Sequence, residues 1–116
     1  MKKVSFERAA KNKASWHRIK EYINKHKPGD IISRQALIRT GIPVGSVDIY
    51  RMQLCDAGIL SKHSRGKYKV LYNIPEKMTT TMLWEIHCHY SMRRWEGWFI
   101  TLEDKIKKVR PNFYDE

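Results

Sequence analysis

The sequence is poor in the features that mark disulfide scaffolds and membrane proteins. It has two cysteines and four prolines in 116 residues, and its apolar runs fall well short of the ~18 residues that a spanning helix needs. The opening segment MKKVSFERAAKNK also lacks the apolar centre of a signal peptide. Cys55 and Cys88 lie in apolar-patterned segments without a recognisable spacing. This predicts buried free thiols and a reducing, cytoplasmic setting.

Motifs of catalysis and metal binding are missing too. The chain has no Gly-rich phosphate loop, no paired acidic motif and no nucleophile elbow, so we expect neither an enzyme nor a cofactor. The segment HCHY, His87 to Tyr90, suggests zinc at first sight. Adjacent residues of a helix or strand point apart, however, and no second Cys/His pair stands at finger spacing. We therefore expect no metal site.

Acidic residues are scarce, and the resulting positive charge is unevenly distributed. Lys and Arg number 23 against 12 Asp and Glu, a net charge of +11. Residues 1–28 carry +7 and residues 61–77 carry +4, whereas 29–60 and 78–116 are neutral. Two separate basic blocks indicate a surface for a polyanion. The alternative is a basic surface that only keeps the protein soluble.

What is present is enough apolar material for one domain, with 41% hydrophobic residues. Residues 1–13 are rich in Lys and Arg and predict a flexible basic arm. From Ala14 onward, Trp16, Ile19 and Ile23 recur at helical spacing. The segment KPG ends this helix, and the DII that follows predicts a short strand or an extended connector.

A second, short helix is predicted from its capping residues. Ser33 stands where an N-cap belongs, ahead of a helix from about Arg34 to Arg39. Gly41 suits the positive φ of a helix end, and Pro43 keeps the helix from continuing.

A third helix is predicted after the turn TGIPVGS. Ser46 is its expected N-cap, and Asp48 is expected in its first turn, where a carboxylate is favourable. Gly58 ends it. Its inward residues recur at helical spacing: Val47, Tyr50, Leu54 and Ala57.

The segment after this helix predicts a β-hairpin. Its strands are expected at residues 59–63 and 67–74, around the turn SRG. Tyr68, Val70 and Tyr72 are expected to share one face of the second strand.

The order helix, short strand, helix, turn, helix, hairpin resembles the winged helix-turn-helix DNA-binding superfamily. Within TGIPVGSVDIYRMQLCDAGILSK, six residues match that family's pattern in type and spacing: Val47, Leu54, Ala57, Gly58, Ile59 and Leu60. Arg51 stands where many members have an inward leucine, so we expect Tyr50 to fill that space. The resemblance implies a mainly α fold with a small β-hairpin over residues 14–76, and binding of double-stranded DNA.

Residues 77–110 are predicted to form a C-terminal extension, ahead of a short tail at 111–116. Between residues 80 and 92 the apolar pattern fits both a strand and a helix. Comparing the chain with itself at a shift of 68 residues pairs Trp16 with Trp84 and favours a helix–strand–helix extension, a half repeat of the first two helices. Its last helix is expected to begin with a capping-box pattern at Thr101 and Asp104.

A half repeat of this kind has to bury its apolar face against the first domain or against a second copy of the chain. We expect a homodimer, with packing inside one chain as the alternative. Aromatic residues are expected at that seam: Trp84, Tyr90, Trp95, Trp98 and Phe99.

The residues predicted to contact DNA fall into two groups. Base edges are expected to meet the third helix, at Val44, Gly45, Ser46, Asp48, Ile49, Arg51 and Met52. Within this group, Asp48 can accept from a cytosine amino group and Ile49 can touch a thymine methyl. The DNA backbone is expected to meet the first two helices and the hairpin, at Arg18, Lys20, Arg34, Arg39, Lys62, His63, Arg65, Lys67 and Lys69.

These features predict a small transcriptional regulator, or a phage- or plasmid-type accessory factor, that acts on DNA in the cytoplasm or at the nucleoid. We expect the third helix to enter the major groove, and the hairpin and basic arm to hold the backbone. The near-neutral third helix also suits an alternative, a winged helix that docks on a polymerase, a nuclease or another nucleoprotein complex. RNA binding is a third hypothesis, although the chain carries no RNA-module motif.

Overall fold

The computed structural model describes residues 6–90 and 101–115, with side chains from residue 14 onward. It is mainly helical, and three short strands form one antiparallel sheet. This agrees with the predicted mainly α chain that contains a small hairpin. The elements in chain order are α1 (Phe6–Asn24), β1 (Ile31–Ser33), α2 (Arg34–Arg39), α3 (Val44–Ala57), β2 (Leu60–Ser64), β3 (Lys67–Val70), α4 (Thr80–Tyr90), α5 (Leu102–Val109) and a 3-10 turn (Phe113–Asp115).

The first helix is longer than its apolar pattern predicts. α1 begins at Phe6 rather than near Ala14, so residues 6–13 belong to a helix and not to a flexible arm. The prediction rested on apolar periodicity, which the sequence shows only from Ala14 onward. In the packed part, the indole N–H of Trp16 donates to the backbone oxygen of Met78 at 2.9 Å.

The sheet has β3 as its middle strand. The strand order is β1-β3-β2, and both pairings are antiparallel. Tyr68 opposes Ile32 of β1, and Val70 opposes Leu60 of β2. All four side chains are buried. The segment DII, residues 30–32, was predicted to be a short strand or an extended connector; a strand does form, at Ile31–Ser33, and it covers one edge of the hairpin.

The second hairpin strand is shorter than predicted. β3 ends at Val70 rather than at Ile74. Beyond it, the N–H groups of Leu71 and Tyr72 both turn to the carbonyl of Ile59, at 2.8 and 3.4 Å. Tyr72 leaves the strand's alternation and is exposed, so its predicted place on the buried face of Val70 is wrong.

Capping explains where α2 begins, but α3 begins earlier than predicted. The Oγ of Ser33 accepts from the N–H of Ala36 at 3.0 Å, which confirms the predicted cap of α2. α3 begins at Val44 with Pro43 in the capping position, so the prediction that Ser46 caps it is wrong. Proline presets the φ that a helix start needs, and no side-chain bond is made at this end.

The core side of α3 follows the sequence pattern. Val47, Leu54 and Ala57 are fully buried. Tyr50 is also buried and lies 5.6 Å from Trp16 between ring centroids, which confirms that it faces inward. Gly58 ends the helix with a φ of 83°, a left-handed conformation that glycine adopts without a side-chain clash.

The C-terminal extension packs on the same core. Residues 80–90 form α4, so the helical interpretation is confirmed and the strand interpretation is wrong. Ile86 of α4 and Ile106 of α5 are fully buried. As predicted, α5 begins at a cap in which Thr101 accepts from the N–H of Asp104 at 3.1 Å. The predicted strand between these helices lies outside the described residues, and homodimerisation stays a prediction.

The described aromatic residues of the extension differ in burial. Trp84 is 55% exposed, whereas its repeat partner Trp16 is 6% exposed. α4 turns its other side, with Leu83 and Ile86, toward the core, and Tyr90 is buried there too. Among the described residues, nothing buries the greater part of Trp84, and its contact with a second copy stays a prediction. The other predicted seam residues lie outside the described part of the chain: Trp95, Trp98 and Phe99.

Candidate nucleic-acid interface

One stripe of α3 faces away from the core. Gly45, Asp48, Ile49 and Met52 recur at three- and four-residue spacing, so they share one side of the helix. Ile49 is 54% exposed and Met52 is 44% exposed, and a Cβ at Gly45 would meet open space. Val44 is exposed at the start of the helix. The α3 stripe is the name used for Gly45, Asp48, Ile49 and Met52, without Val44.

Asp48 is the acidic residue of the α3 stripe, and Arg34 of α2 holds it. The Nε of Arg34 donates to Oδ1 at 2.8 Å, and its Nη2 donates to Oδ2 at 3.0 Å. These hydrogen bonds are the main reason that the pKa of the Asp48 carboxyl is lowered and that the pKa of the Arg34 guanidinium is raised. The expected place of Asp48 in the first helical turn is wrong, because α3 begins at Val44. Its partner is an arginine from another helix.

Arg51 brings a second guanidinium to Asp48. Its Nε lies 3.6 Å from Oδ1 of Asp48, and its Nη1 donates to the hydroxyl of Tyr68 at 3.0 Å. Arg51 thus reaches toward the sheet, although it was predicted to meet base edges. Two arginines surround one carboxylate, so the cluster of Arg34, Asp48 and Arg51 is positive as a whole.

The hairpin turn is attached to the same cluster. The backbone N–H of Arg34 donates to the carbonyl of Gly66 at 2.9 Å, and the preceding Ser33 opposes Lys67 in the sheet. Gly66 has a φ of 72°, which lets the two-residue turn close without strain. The first residue of α2 therefore contacts the hairpin turn with its backbone and α3 with its side chain.

The hairpin presents its basic residues to solvent. Lys67 and Lys69 alternate along β3 with buried residues, so they lie on the outer face of the sheet. Lys62 opposes Tyr68 and lies on the other face, and Arg65 is in the turn. All five predicted hairpin contacts are exposed: Lys62, His63, Arg65, Lys67 and Lys69.

Arg18 and Lys20, the two residues of α1 predicted to contact the DNA backbone, each donate to a backbone carbonyl in a loop. The Nη1 of Arg18 donates to the carbonyl of Gly41 at 3.3 Å, in the turn before α3. Lys20 instead donates to the carbonyl of Glu76 at 2.9 Å, in the segment after the hairpin. Arg39 is exposed at the end of α2. Arg18 thus lies beside the start of α3, whereas Lys20 binds a different part of the chain.

The C-terminal end of α3 is held by contacts among Asp56, His87 and Lys105, for which the sequence predicted no role. Asp56 pairs with Nδ1 of His87 on α4, and its backbone carbonyl accepts from Nζ of Lys105 on α5 at 3.2 Å. Lys105 is 4% exposed, and its Nζ lies 5.4 Å from the ring centroid of Tyr90. Burial lowers the pKa of the Lys105 ammonium, and the charge of Asp56 opposes that effect. Helical spacing places Lys105 beside Leu102 and Ile106, but a lysine gives no apolar signal, and its burial depends on how α5 meets the end of α3.

Within residues 6–90 and 101–115, no three His, Cys, Asp or Glu side chains come together as a metal site would require. Cys55 is half-buried and Cys88 is exposed, both as free thiols, so the predicted full burial of both is wrong. Of the described helices, none has the length and apolar character to cross a membrane.

Comparison of the chain with models of protein families, with curated proteins and with solved structures found no match. What the chain binds is therefore inferred from the residues described above.

Proposed function

We propose that this protein binds double-stranded DNA as a winged helix, with α3 in the major groove and the β2–β3 hairpin as a wing on the backbone. The observation that carries the proposal is the position of Arg34, which joins Gly66 through its backbone and Asp48 through its side chain. An exposed helix stripe and a cationic hairpin are thereby held in one fixed arrangement. A protein of this kind acts as a small transcriptional regulator or as a phage- or plasmid-type accessory factor.

The element order supports the winged-helix part of the proposal. From α1 to β3 the chain follows helix, strand, helix, helix and hairpin, which is the order that the resemblance implies. β1 pairs with β3 and so ties the hairpin to the helices on either side of it. The exposed side of α3 is left uncovered by the described residues.

The charges around α3 favour a polyanion as the partner. A lone carboxylate on α3 would repel phosphates, but Asp48 is paired with Arg34 and has Arg51 beside it. Exposed cations on the hairpin add to the positive electrostatic potential around α3. An α-helix fits the major groove, which is about 12 Å wide, and phosphate contacts supply most of the affinity.

Two matched double substitutions test the proposal. Lys67→Gln/Lys69→Gln removes two charges from the outer face of β3, and Lys107→Gln/Lys108→Gln removes two from the exposed side of α5. We expect the first pair to weaken binding to a duplex of random sequence by about tenfold and the second by less than about twofold. Equal losses in both variants, or no duplex binding by the wild-type protein, would overturn the proposal.

A second candidate function is docking on a protein of a nucleoprotein complex. It is favoured by one observation, the exposure of the apolar residues Val44, Ile49 and Met52 on α3. The substitution Ile49→Asp separates the two functions. In the docking case it abolishes capture of the partner protein, while Lys67→Gln/Lys69→Gln leaves that capture unchanged.

A further inference from the structure

The side chains of the α3 stripe have little hydrogen-bonding capacity to offer a ligand. Ile49 and Met52 are apolar, and Gly45 has no side chain. Asp48 already accepts two hydrogen bonds from Arg34, one at each carboxylate oxygen. A helix with this surface meets a groove mainly through methyl and methylene groups.

Asp48 is poorly suited to the cytosine contact that the sequence suggests. To accept from a cytosine amino group, its carboxylate has to share an oxygen that already accepts from Arg34, with a second guanidinium, that of Arg51, 3.6 Å from Oδ1. Charge-assisted, two-point bonds to an arginine are stronger than a bond to one neutral amino group. Asp48 therefore acts as a positioning residue that orients Arg34.

In the major groove, the group that an apolar side chain can distinguish is the C5-methyl of a pyrimidine, found on thymine and on 5-methylcytosine. We infer that α3 selects DNA by the C5-methyl groups that its stripe covers, through Ile49 and Met52. The inference rests on the proposed DNA binding and names the substrate class, a duplex with methyl groups in the major groove at those positions.

The two apolar residues of the stripe have surface left to bury. Ile49 is 54% exposed and Met52 is 44% exposed, so contact with a methyl group removes apolar area from water on both sides. Methionine is unbranched and adapts its shape to the surface that it meets. Gly45 lies one turn before Ile49, and a Cβ there would contact nothing within 4 Å. Its missing side chain leaves room for a groove edge to approach.

Uracil substitution tests the inference, because it removes the C5-methyl group and leaves base pairing and phosphates unchanged. The probe is the tightest duplex selected from a random pool, remade with uracil in place of thymine at each position in turn. We expect a loss of about fourfold in affinity for each methyl that the stripe covers, the effect of exposing one buried methyl. The salt dependence of binding stays as it was, since no phosphate contact is lost.

The outcomes separate the inference from the proposal on which it rests. If duplexes with thymine and uracil bind equally, the inference is overturned and DNA binding stands. If the wild-type protein retains no duplex from the pool, the proposed function itself fails. A selected site that lacks thymine and 5-methylcytosine throughout also overturns the inference.

Matched variants assign the effect to α3. Ile49→Ala/Met52→Ala is expected to abolish discrimination between thymine and uracil, and to retain DNA through the hairpin. Both residues are exposed, so the fold is unaffected, which circular dichroism checks. Ile31→Ala removes an apolar side chain that is 40% exposed on β1, and it is expected to keep the discrimination. Discrimination that persists in Ile49→Ala/Met52→Ala would contradict the role of the stripe.

Discussion

Arg34 donates to both carboxylate oxygens of Asp48, at 2.8 and 3.0 Å, and these two bonds join α2 to the exposed side of α3. The same arginine donates its backbone N–H to Gly66 in the hairpin turn at 2.9 Å. The hairpin and α3 therefore cannot shift independently without breaking a contact of Arg34. The proposed binding of one duplex by both the hairpin and α3 requires that these two elements keep a fixed arrangement.

Replacing the carboxylate of this pair is expected to change the pH dependence of stability. The pKa of Asp48 lies below its ordinary value of 3.8 because Arg34 binds the ionised form. A carboxyl whose pKa is lower in the folded than in the unfolded state stabilises the fold. This contribution is fully present above the pKa of the unfolded state, and it is lost as the pH falls through the pKa of the folded state. Asp48→Asn is therefore expected to be less stable than wild type at about pH 6, with the difference narrowing toward about pH 2. Urea unfolding at both pH values measures it, and a constant difference would contradict the pairing.

Charge reversal on the buried side of α5 is expected to destabilise the fold. Lys105→Glu places a carboxylate against the carbonyl and side chain of Asp56, where burial leaves it without solvent. We expect a loss of about 3 kcal/mol or more in the free energy of unfolding. Lys108→Glu makes the same charge change on the exposed side of this helix and is expected to cost less than about 0.5 kcal/mol. Similar losses in both variants would show that Lys105 is not buried.

The glycine that ends α3 is expected to tolerate alanine less well than the glycine of the hairpin turn. Both have positive φ, 83° at Gly58 and 72° at Gly66, so each Gly→Ala change costs about 1 kcal/mol from backbone strain. At Gly58 the new Cβ would also lie 3.2 Å from Nζ of Lys105, whereas at Gly66 it would meet nothing within 4 Å. Chemical denaturation should give the larger loss for Gly58→Ala. A larger loss for Gly66→Ala would contradict the contact with Lys105.

The two tryptophans that the half repeat pairs are expected to differ in their effect on stability. Trp16→Phe removes an indole N–H that donates to the buried carbonyl of Met78 and is expected to cost about 2 kcal/mol. Trp84→Phe changes an exposed ring and is expected to cost less than about 0.5 kcal/mol. Thermal unfolding of both variants measures the difference. Equal costs would mean that Trp84 is buried, as it would be in a dimer.

Local signals in the sequence predicted much of the fold. A serine hydroxyl can reach the third amide after it whatever the rest of the chain does, so Ser33 marks the start of α2 correctly. Thr101 does the same for α5. The positive φ of Gly58 is likewise a property of the helix end itself. Where two local signals compete, as at the start of α3, the preset φ of Pro43 prevails over the hydroxyl of Ser46.

The candidate site depends on long-range packing, and the sequence predicted it only in part. The exposure of Ile49 and Met52 follows from helical spacing. The pairing of Asp48 with Arg34 does not, because it joins two helices whose angle is set by the core. Lys105 is the extreme case, since a lysine is almost always exposed unless its ammonium finds a partner. Here the partner is the carbonyl end of α3, which only the folded chain brings within reach.

The salt dependence of duplex affinity is the most direct test of DNA binding by the hairpin. Each phosphate contact contributes about −0.9 to the slope of the logarithm of affinity against the logarithm of salt concentration. We predict a steep negative slope for the wild-type protein and a slope shallower by roughly 2 for Lys67→Gln/Lys69→Gln. The control Lys107→Gln/Lys108→Gln is predicted to keep the wild-type slope. A wild-type slope near zero, or the same slope in both double variants, would contradict DNA binding through this surface.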